Sequence, residues 1–364
     1  MNEFFEDFRA IVLQRPPLID VRAPVEFHKG AFPNAVNLPL MNDVERELVG
    51  IRYKEFGNAE ALKLGHELVS GKKREKRIEA WCDFKKRNPD AILYCFRGGQ
   101  RSEIAQKWMA EAGCDILRLR GGYKAFRHYL LEEIERIGSL LNPFVLGGRT
   151  GSGKTRLLNS IQRSVDLEAL SNHRGSAFGR RTTPQPTQIS FENALAYELV
   201  NLTREENYTA IFEDEGRNIG RLYLPQTIFE HMESAPLVVL DTPMDERVEI
   251  TFEEYVVSSQ KDYEKLSIED PLRRWYEEIA ESMERIKRRL GGERYKIAFE
   301  LLDKAYEEQI RGLGNEGHKK WIEYLLREYY DPMYDYQIKK SAQRVVFRGP
   351  AKEVADFLKE ALKK

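Results

Sequence analysis

The sequence has few cysteines and no long apolar run. Cys82, Cys95 and Cys114 are the only cysteines among 364 residues, and no two of them form a CxxC pair. This small, odd number of thiols argues against a disulfide framework, and the absence of Cys and His pairs argues against zinc. No apolar stretch approaches the roughly 20 residues that a membrane-spanning helix needs, and the first residues contain no export signal. We therefore expect a cytoplasmic protein with no membrane partner.

The chain also lacks a strong net charge. Its 58 Lys and Arg residues nearly balance 59 Asp and Glu residues, which gives a formal charge of −1. Because local patches make an electrostatic footprint, this total neither predicts nor excludes a nucleic-acid partner. Basic runs at residues 71–87 and 285–289 are typical of solvated helix faces.

The first third of the chain alternates short apolar runs with helical patterns. Residues 17–22, 91–96 and 115–122 are predicted to be buried strands, and residues 102–113 form an amphipathic pattern that ends at a glycine. This alternation predicts an α/β domain over residues 1–130. A helical linker is predicted to follow it at residues 131–141.

The alternation starts again after the linker. Strands are predicted at 144–148, 209–214, 236–243 and 344–349, with helical patterns between several of them. We expect a second parallel-sheet domain at residues 142–364. Long, charged, periodic segments at about residues 246–330 predict a helical insertion before the last strand.

The segment "GRTGSGKT" matches the phosphate-binding pattern G-x-x-x-x-G-K-[ST] between a predicted strand and a predicted helix. Its glycines allow backbone amides to surround a phosphate, Lys154 supplies a cation, and Thr155 is suited to hold Mg²⁺. The predicted phosphate-binding residues are Gly148, Gly151, Ser152, Gly153, Lys154 and Thr155. The pattern alone leaves a kinase, an NTPase and a diphosphate-binding transferase open.

Two further features accompany this loop. Glu213 and Asp214 end a predicted strand and are candidates to position a metal ion, although no metal site is predicted with certainty. Arg247, after the strand at 236–243, is a candidate contact to a transferred phosphate.

The segment 171–188 is polar and is broken by Gly and Pro. It contains His173, Arg174, Arg180 and Arg181. We predict a lid over an anionic ligand, with His173 and Arg174 as the candidate contacts; a plain surface loop is the alternative.

A second glycine-rich loop, "YCFRGGQRS", joins a predicted strand to the helix at 102–113. Loop amides, the helix N-terminus and the side chains of Arg97 and Arg101 are expected to stabilise the thiolate of Cys95. Ser102 is a natural N-cap that is also placed to touch the sulfur. Cys95, Arg97 and Arg101 are thus the predicted catalytic residues, with Gly98, Gly99 and Ser102 forming an oxyanion loop.

The first domain resembles the rhodanese family. Residues 18–40, the Cys95 loop and residues 117–127 together match the motifs of that sulfur-carrying fold. One departure is that Arg101 lies six positions after Cys95, which is the C-x5-R spacing of phosphatases with a related fold. The longer loop suits a phosphate-bearing chalcogen donor.

The whole chain is similar to the tRNA 2-selenouridine synthase family. The resemblance rests on the order of the two domains and on the segments "NHRGSAFG", "FEDEGRNIG" and "YYDPMYDYQ". It implies that selenium from selenophosphate replaces sulfur in the wobble 2-thiouridine of tRNA. It also implies an S-geranyl base, made from geranyl diphosphate, as the intermediate.

The resemblance assigns roles to both loops. Cys95 would transfer selenium as a thiolate or a perselenide carrier, framed by Arg97, Gly98, Gly99 and Arg101. The phosphate-binding loop would hold the diphosphate of the geranyl donor, so ATP is not expected to be required.

The expected partners are tRNA and a selenophosphate-supplying enzyme. The helical insertion is the candidate tRNA-binding part. The run "RIKRR" would contact phosphates, and aromatic residues would stack on bases. The candidates are Trp275, Tyr295, Trp321, Tyr324, Tyr329 and Tyr330. For any one of these side chains, packing in a core is the competing interpretation.

Three other readings remain. The first is an ATP-dependent P-loop kinase and sulfurtransferase that acts on RNA or a small molecule. The second is a phosphate-sensing or RNA-binding module with an inert first domain, which the intact Cys95 disfavours. The third is a C-x5-R phosphatase, which Tyr94 disfavours because a His would be expected before the cysteine.

Overall fold

The computed structural model describes residues 3–204 and 207–363. The chain forms two compact units. The first unit comprises residues 1–138 and 186–206, and the second comprises residues 139–185 and 207–364. Within the described residues, no helix combines the length and the apolar character needed to cross a membrane.

Strands and helices alternate along much of the chain. The strands are β1 (Phe4–Phe5), β2 (Leu18–Asp20), β3 (Ala35–Asn37), β4 (Ile92–Tyr94), β5 (Leu117–Leu119), β6 (Asn142–Gly148), β7 (Ser164–Val165), β8 (Thr209–Glu213), β9 (Asn218–Ile219), β10 (Leu222–Tyr223), β11 (Leu237–Leu240) and β12 (Val345–Gly349). The α-helices are α1 (Phe8–Gln14), α2 (Pro24–Lys29), α3 (Asp43–Leu68), α4 (Gly71–Arg87), α5 (Gln100–Glu111), α6 (Gly122–Gly138), α7 (Lys154–Leu158), α8 (Leu167–Ser171), α9 (Gln188–Leu202), α10 (Gln226–Ser234), α11 (Met244–Phe252), α12 (Ser258–Glu264), α13 (Pro271–Leu290), α14 (Gly292–Ile310), α15 (Lys319–Leu325), α16 (Asp331–Lys340) and α17 (Ala351–Ala361). Two π-helical segments, 253–257 and 326–330, continue α11 and α15.

The first unit is built on a parallel sheet with the strand order β1-β5-β4-β2-β3. The predicted strands correspond to β2, β4 and β5; β2 and β4 are buried throughout, and in β5 Arg118 and Leu119 are buried while Leu117 is exposed. The sequence did not reveal β1 and β3, since β1 has only two residues and no residue of either strand is fully buried. The Cys95 loop follows β4 directly, at the carboxyl edge of the sheet.

The boundaries of the units differ from those predicted at residues 130 and 142. Residues 131–138 complete α6 and belong to the first unit, where Ile134 and Ile137 are buried, so they do not form a linker. Helix α9 also belongs to the first unit, although it lies far along the chain. It packs on α1 and α6, and its buried residues include Phe191 and Leu195. Burial of these apolar side chains supplies the driving force for this arrangement.

The second unit contains a parallel five-stranded sheet with the order β12-β11-β6-β8-β7. Strand β6 lies between β11 and β8, and Val145 and Leu146 are buried there. The phosphate-binding loop leaves this strand, as the sequence predicted. Two sheets of parallel strands with helices confirm the predicted α/β fold class.

The helical part of the second unit encloses its own apolar core. Trp275, Trp321, Tyr329 and Tyr330 are buried in this core, and Tyr295 and Tyr324 pack against it half-buried. The predicted role of Trp275 and Trp321 in base stacking is therefore wrong, because almost none of either side chain is exposed to solvent. These two side chains are in the core because aromatic residues at helical spacing face the neighbouring helices.

Candidate functional site

The first candidate centre is the Cys95 loop. Cys95 is buried, with 3% of its surface exposed, and its sulfur lies 3.2 Å from the Ser102 hydroxyl oxygen. That hydroxyl also donates a hydrogen bond of 2.9 Å to the carbonyl oxygen of Gly99. Ser102 thus touches the sulfur as predicted, but the N-cap prediction is wrong: α5 begins at Gln100 with Gly99 as its N-cap, so Ser102 lies within the first turn.

Two glycines hold the loop in its conformation. Gly98 has a φ of +65°, and a Cβ there would lie 2.9 Å from the amide nitrogen of Gly121. Gly122 has a φ of +60°, and its Cβ would overlap the carbonyl oxygen of Cys95 and the amide nitrogen of Gly98. The Tyr123 amide donates 2.9 Å to the carbonyl oxygen of Cys95. The segment after β5 therefore packs directly against the backbone of the Cys95 loop. Glycine is required at both positions, Gly98 in the loop and Gly122 in that segment.

The loop presents unpaired amides. In the described part of the chain, the backbone amides of Arg97, Gly98 and Gly99 donate to no protein acceptor. Successive free amides in such a turn form a site for an anion. The geometry fits the predicted oxyanion loop.

The two predicted arginines are placed differently. The Arg101 guanidinium donates hydrogen bonds of 2.6 and 3.2 Å to the two carboxylate oxygens of Glu26. Burial favours a higher pKa for Glu26, but the hydrogen bonds from Arg101 outweigh it and hold the pKa below its ordinary value. Arg97 is exposed and has no ion-pair partner among the described residues. Arg97 is thus the cation available to a bound oxyanion, while Arg101 positions the loop.

A buried ion pair supports the same edge of the sheet. Arg22 and Asp20 are almost fully buried and form a 2.7 Å salt bridge. Arg22 also donates 2.8 Å to the carbonyl oxygen of Gly30, and its guanidinium lies 3.8 Å from the centre of the Tyr123 ring. A buried, hydrogen-bonded pair of this kind fixes the chain around it.

The second candidate centre is the phosphate-binding loop. Gly151 and Gly153 have φ values of +78° and +81°, and the amides of both donate to no acceptor in the described residues. The Lys154 ammonium donates 2.9 Å to the carbonyl oxygen of Gly148, across the loop. Ser152 is buried, and a Cβ added to Gly148 would lie only 2.7 Å from its hydroxyl oxygen. The loop therefore has the open, amide-lined form that suits a phosphate.

Carboxylates surround the end of this loop. The Thr155 hydroxyl donates 3.0 Å to Glu213 and lies 3.4 Å from Glu168. Burial, followed by repulsion from Glu168, raises the pKa of Glu213 to about 8. Burial and repulsion from Glu215 raise the pKa of Glu168 to about 7, and burial and repulsion from Glu213 raise that of Glu215 to about 7. Glu168, Asp214 and Glu215 all line the cavity beside the loop.

The cavity next to the loop has a volume of about 340 Å³. The cations Lys154, Arg174 and Arg289 line it, and Arg289 comes from the predicted basic run. Aromatic and apolar side chains form a second part of the lining, called here its aromatic part, namely Tyr255, Tyr329, Tyr330, Met333 and Tyr334. A ligand with an anionic group and an apolar remainder fits such a cavity.

Two ion pairs connect the loop to α16. Arg247 is buried; it donates 2.6 and 3.0 Å to Asp331 and 3.0 Å to the carbonyl oxygen of Thr150. Arg149 donates 2.7 Å to Asp335. Arg247 therefore holds the loop backbone, which is a different position from the predicted phosphate contact.

Only some residues of the predicted lid line the cavity. Arg174, Gly175 and Ser176 line the cavity, and the Arg174 guanidinium lies 5.2 Å from the centre of the Tyr255 ring. His173 is buried and does not line the cavity; burial lowers its pKa, followed by the effect of nearby Arg180. Arg174 is thus the member of the pair placed to contact a ligand.

Sequence reasoning missed several residues of both centres. Glu168 carries no pattern that indicates a site, and Glu26 and Gly122 lie in segments that matched only as rhodanese motifs, without a role for either residue. Asp331 and Asp335 lie in the segment "YYDPMYDYQ", which was noted only as a family feature. Its two carboxylates, four residues apart on a helix, were the available signal.

Comparisons with known proteins agree on the family. Residues 6–129 match the rhodanese-like domain, and residues 141–364 match the tRNA 2-selenouridine synthase AAA domain. A tRNA 2-selenouridine synthase of Sulfurovum sp. (strain NBC37-1) is 60% identical over 97% of this chain and 97% of its own. Those of Hydrogenovibrio crunogenus and Pseudomonas fluorescens (strain Pf0-1) are 49% and 46% identical, each over at least 97% of both chains. A family model over more than half of the chain and relatives matched along nearly their whole length show that this chain belongs to the tRNA 2-selenouridine synthase family.

Proposed function

We propose that the chain replaces sulfur by selenium at the wobble 2-thiouridine of tRNA. Geranyl diphosphate and selenophosphate are the co-substrates, and an S-geranyl base is the intermediate. The names of the relatives support tRNA as the substrate. One observation carries the proposal: a single chain holds a thiol at an amide-lined loop in one unit and, in the other, a phosphate-binding cavity whose lining has an aromatic part.

The P-loop cavity suits the geranyl transfer. The free amides of Gly151 and Gly153 and the ammonium of Lys154 would hold the diphosphate. The thiocarbonyl sulfur attacks the first carbon of the geranyl chain, the carbon–oxygen bond breaks, and the electron pair leaves with diphosphate. Groups that stabilise charge on the departing diphosphate lower this barrier.

The aromatic part of the lining suits the allylic end of the donor. Positive charge develops on the first carbon as diphosphate departs, and the faces of aromatic rings attract such charge. Tyr329, Tyr330 and Tyr334 belong to this part of the lining. The Tyr334 hydroxyl is buried and has no hydrogen-bond partner among the described residues, so it is available to a ligand.

The donor set at Thr155 suits Mg²⁺. Thr155 and Glu213 would hold the ion, because both offer oxygen atoms and lie 3.0 Å apart. In the described residues, no group of three or more His, Cys, Asp or Glu side chains is placed to hold a metal. Two protein ligands fit Mg²⁺, which usually keeps several waters and substrate phosphates. When bound, the ion would neutralise charge on the diphosphate.

The Cys95 loop suits the selenium transfer. The thiolate attacks the phosphorus of selenophosphate, the phosphorus–selenium bond breaks, and the electron pair leaves as selenide. The free amides of Arg97, Gly98 and Gly99 would hold the phosphate oxygens. Selenide then attacks C2 of the S-geranyl base and expels geranylthiolate, which takes a proton. Water hydrolyses the phosphocysteine, so the sequence balances without an oxidant.

The scheme assigns no step to ATP. Departure of diphosphate drives transfer of the geranyl group, and the geranylated sulfur is then a leaving group. Selenophosphate must come from another enzyme, and a tRNA substrate implies a cytoplasmic reaction.

The test is nucleoside mass analysis of a tRNA that carries 2-thiouridine. The purified chain is incubated with geranyl diphosphate and selenophosphate, with and without ATP. We expect S-geranyl-2-thiouridine followed by 2-selenouridine at equal rates in both mixtures. Conversion only in the presence of ATP would favour the kinase and sulfurtransferase reading instead.

A further inference from the structure

A large cavity opens beside the Cys95 loop, within the first unit. Its volume is about 1140 Å³, above the roughly 300–1,000 Å³ of most small-molecule sites. Selenophosphate alone does not account for a cavity of this size. The volume therefore indicates a second, larger group next to the loop.

Helix α3 forms much of the cavity wall. It bends at Gly57, whose φ of +82° is accessible at low cost only to glycine. Residues before the bend, such as Val49 and Ile51, and residues after it, such as Ala61 and Leu62, all line the cavity. The bend thus allows both arms of one helix to contribute apolar side chains to a single space.

Much of the lining is apolar and partly open to solvent, while α3 also contributes polar side chains such as Arg46, Lys54 and His66. Leu40, Met41 and Trp108 line the cavity together with the α3 residues. Ile51 and Tyr53 leave 47% and 57% of their surface exposed. Large apolar side chains grouped in a concave site expose surface that an apolar ligand would cover.

The cavity is shared with the first candidate centre. Phe96, Arg97, Gln100 and Arg101 of the Cys95 loop all belong to its lining. An occupant that extends from these residues to α3 has a polar, reacting end and an apolar tail. The S-geranyl base is the compound in the proposed reaction that has both.

We propose that this cavity binds the geranyl group of S-geranyl-2-thiouridine while selenium replaces sulfur. The proposal rests on the proposed function. Selenide adds at C2, the carbon–sulfur bond breaks, and the electron pair leaves with the geranylthiolate, whose chain already lies against α3. The cavity selects the activated base over plain 2-thiouridine, because only the activated base has a tail to bury.

The test uses a synthetic anticodon stem-loop that already carries the S-geranyl base, so that the P-loop step is bypassed. A second stem-loop carries S-methyl-2-thiouridine. The full chain and selenophosphate are added, and 2-selenouridine and the released thiol are measured by mass spectrometry. The readout is the ratio of kcat/KM for the S-geranyl RNA to that for the S-methyl RNA.

Ile51→Asp and Leu48→Asp make a matched pair. Both residues lie on α3 and leave 47% and 44% of their surface exposed, but only Ile51 lines the cavity. We expect Ile51→Asp to lower the kcat/KM ratio about tenfold and Leu48→Asp to leave it unchanged. Tyr53→Ser is a second variant at an exposed position of the lining, and thermal unfolding verifies that each variant is folded.

The outcomes separate the two proposals. If the native chain selenates the S-geranyl RNA with no preference over S-methyl, or if Ile51→Asp and Tyr53→Ser both keep the ratio, the cavity does not bind the tail. If Ile51→Asp instead abolishes self-association measured by sedimentation and keeps the ratio, the occupant is a second copy of the chain and the inference is overturned. If the native chain selenates neither RNA, the proposed function itself fails.

Discussion

The guanidinium of Arg101 and the carboxylate of Glu26 form a two-point ion pair, with hydrogen bonds of 2.6 and 3.2 Å. Arg101 is therefore engaged before any ligand arrives, and the exposed Arg97 is the free cation of the Cys95 loop among the described residues. The C-x5-R spacing suggested that Arg101 contacts the oxyanion. In the fold, its carboxylate partner comes from a segment some 75 residues earlier in the chain.

Replacement of Arg97 tests this difference. We expect Arg97→Ala to raise the KM for selenophosphate about tenfold to a hundredfold, the equivalent of one lost charge-assisted hydrogen bond. Arg97→Lys should recover part of the loss, because the charge is retained. Steady-state kinetics with the S-geranyl RNA measures both, and an unchanged KM in Arg97→Ala would contradict the assignment.

Lys154→Ala should reduce formation of the S-geranyl base about 10²- to 10³-fold, because a cation that stabilises the departing diphosphate is lost. Selenation of RNA that already carries the geranyl group should continue at the native rate, since the proposal assigns that step to Cys95 in the other unit. Equal loss of both steps would show that the P-loop takes part in the selenium transfer.

The carboxylates near Thr155 predict a pH-dependent stability. The pKa of Glu213 is about 8 in the folded chain, above its ordinary value of 4.5, so the folded chain holds a proton that the unfolded chain releases. Stability is therefore greatest below about pH 4.5 for this group and falls as the pH rises towards 8. We expect Glu213→Gln to remove about 1 kcal/mol or more of this dependence.

Thermal unfolding between about pH 5 and pH 8.5 measures the effect. Glu233→Gln, at an exposed position on α10, is the control that should leave the pH dependence unchanged. Parallel curves for the native chain and Glu213→Gln would contradict the assigned pKa.

Alanine substitutions at two glycines of similar positive φ distinguish an effect on the Cys95 loop from a general loss of stability. Gly122 has a φ of +60° and contacts the Cys95 loop, whereas Gly113 has a φ of +75° and open space around it. Alanine at either position should cost about 1 kcal/mol of unfolding free energy or more. Only Gly122→Ala should also reduce selenation strongly, because its Cβ would displace the carbonyl oxygen of Cys95.

Thermal unfolding and the selenation rate are measured for both variants. Native selenation by a folded Gly122→Ala chain would show that the loop does not depend on this contact.

The sequence predicted those features that local patterns encode. Strand β6, the glycines at 148–153 and the helix after Cys95 each follow from residues that are neighbours in the chain. Both loops were located correctly for this reason.

The features that the sequence did not predict depend on contacts between distant segments. Helix α9 joins the first unit through burial of residues such as Phe191, and Arg247 finds its partner Asp331 84 residues later. The apolar cavity was also missed, because its wall comes from α3, whose sequence has mixed polarity and gains its bend from a single glycine. No pattern within one segment specifies such pairings.

The most direct test of the account is nucleoside mass analysis with Cys95→Ala and Cys114→Ala chains, both donors and 2-thiouridine tRNA. Cys114 is the control because it is a half-buried thiol that lies outside both cavities. The account predicts that Cys95→Ala accumulates S-geranyl-2-thiouridine and makes no 2-selenouridine, while Cys114→Ala completes the reaction. Formation of 2-selenouridine by Cys95→Ala would contradict the assignment of selenium transfer to this residue.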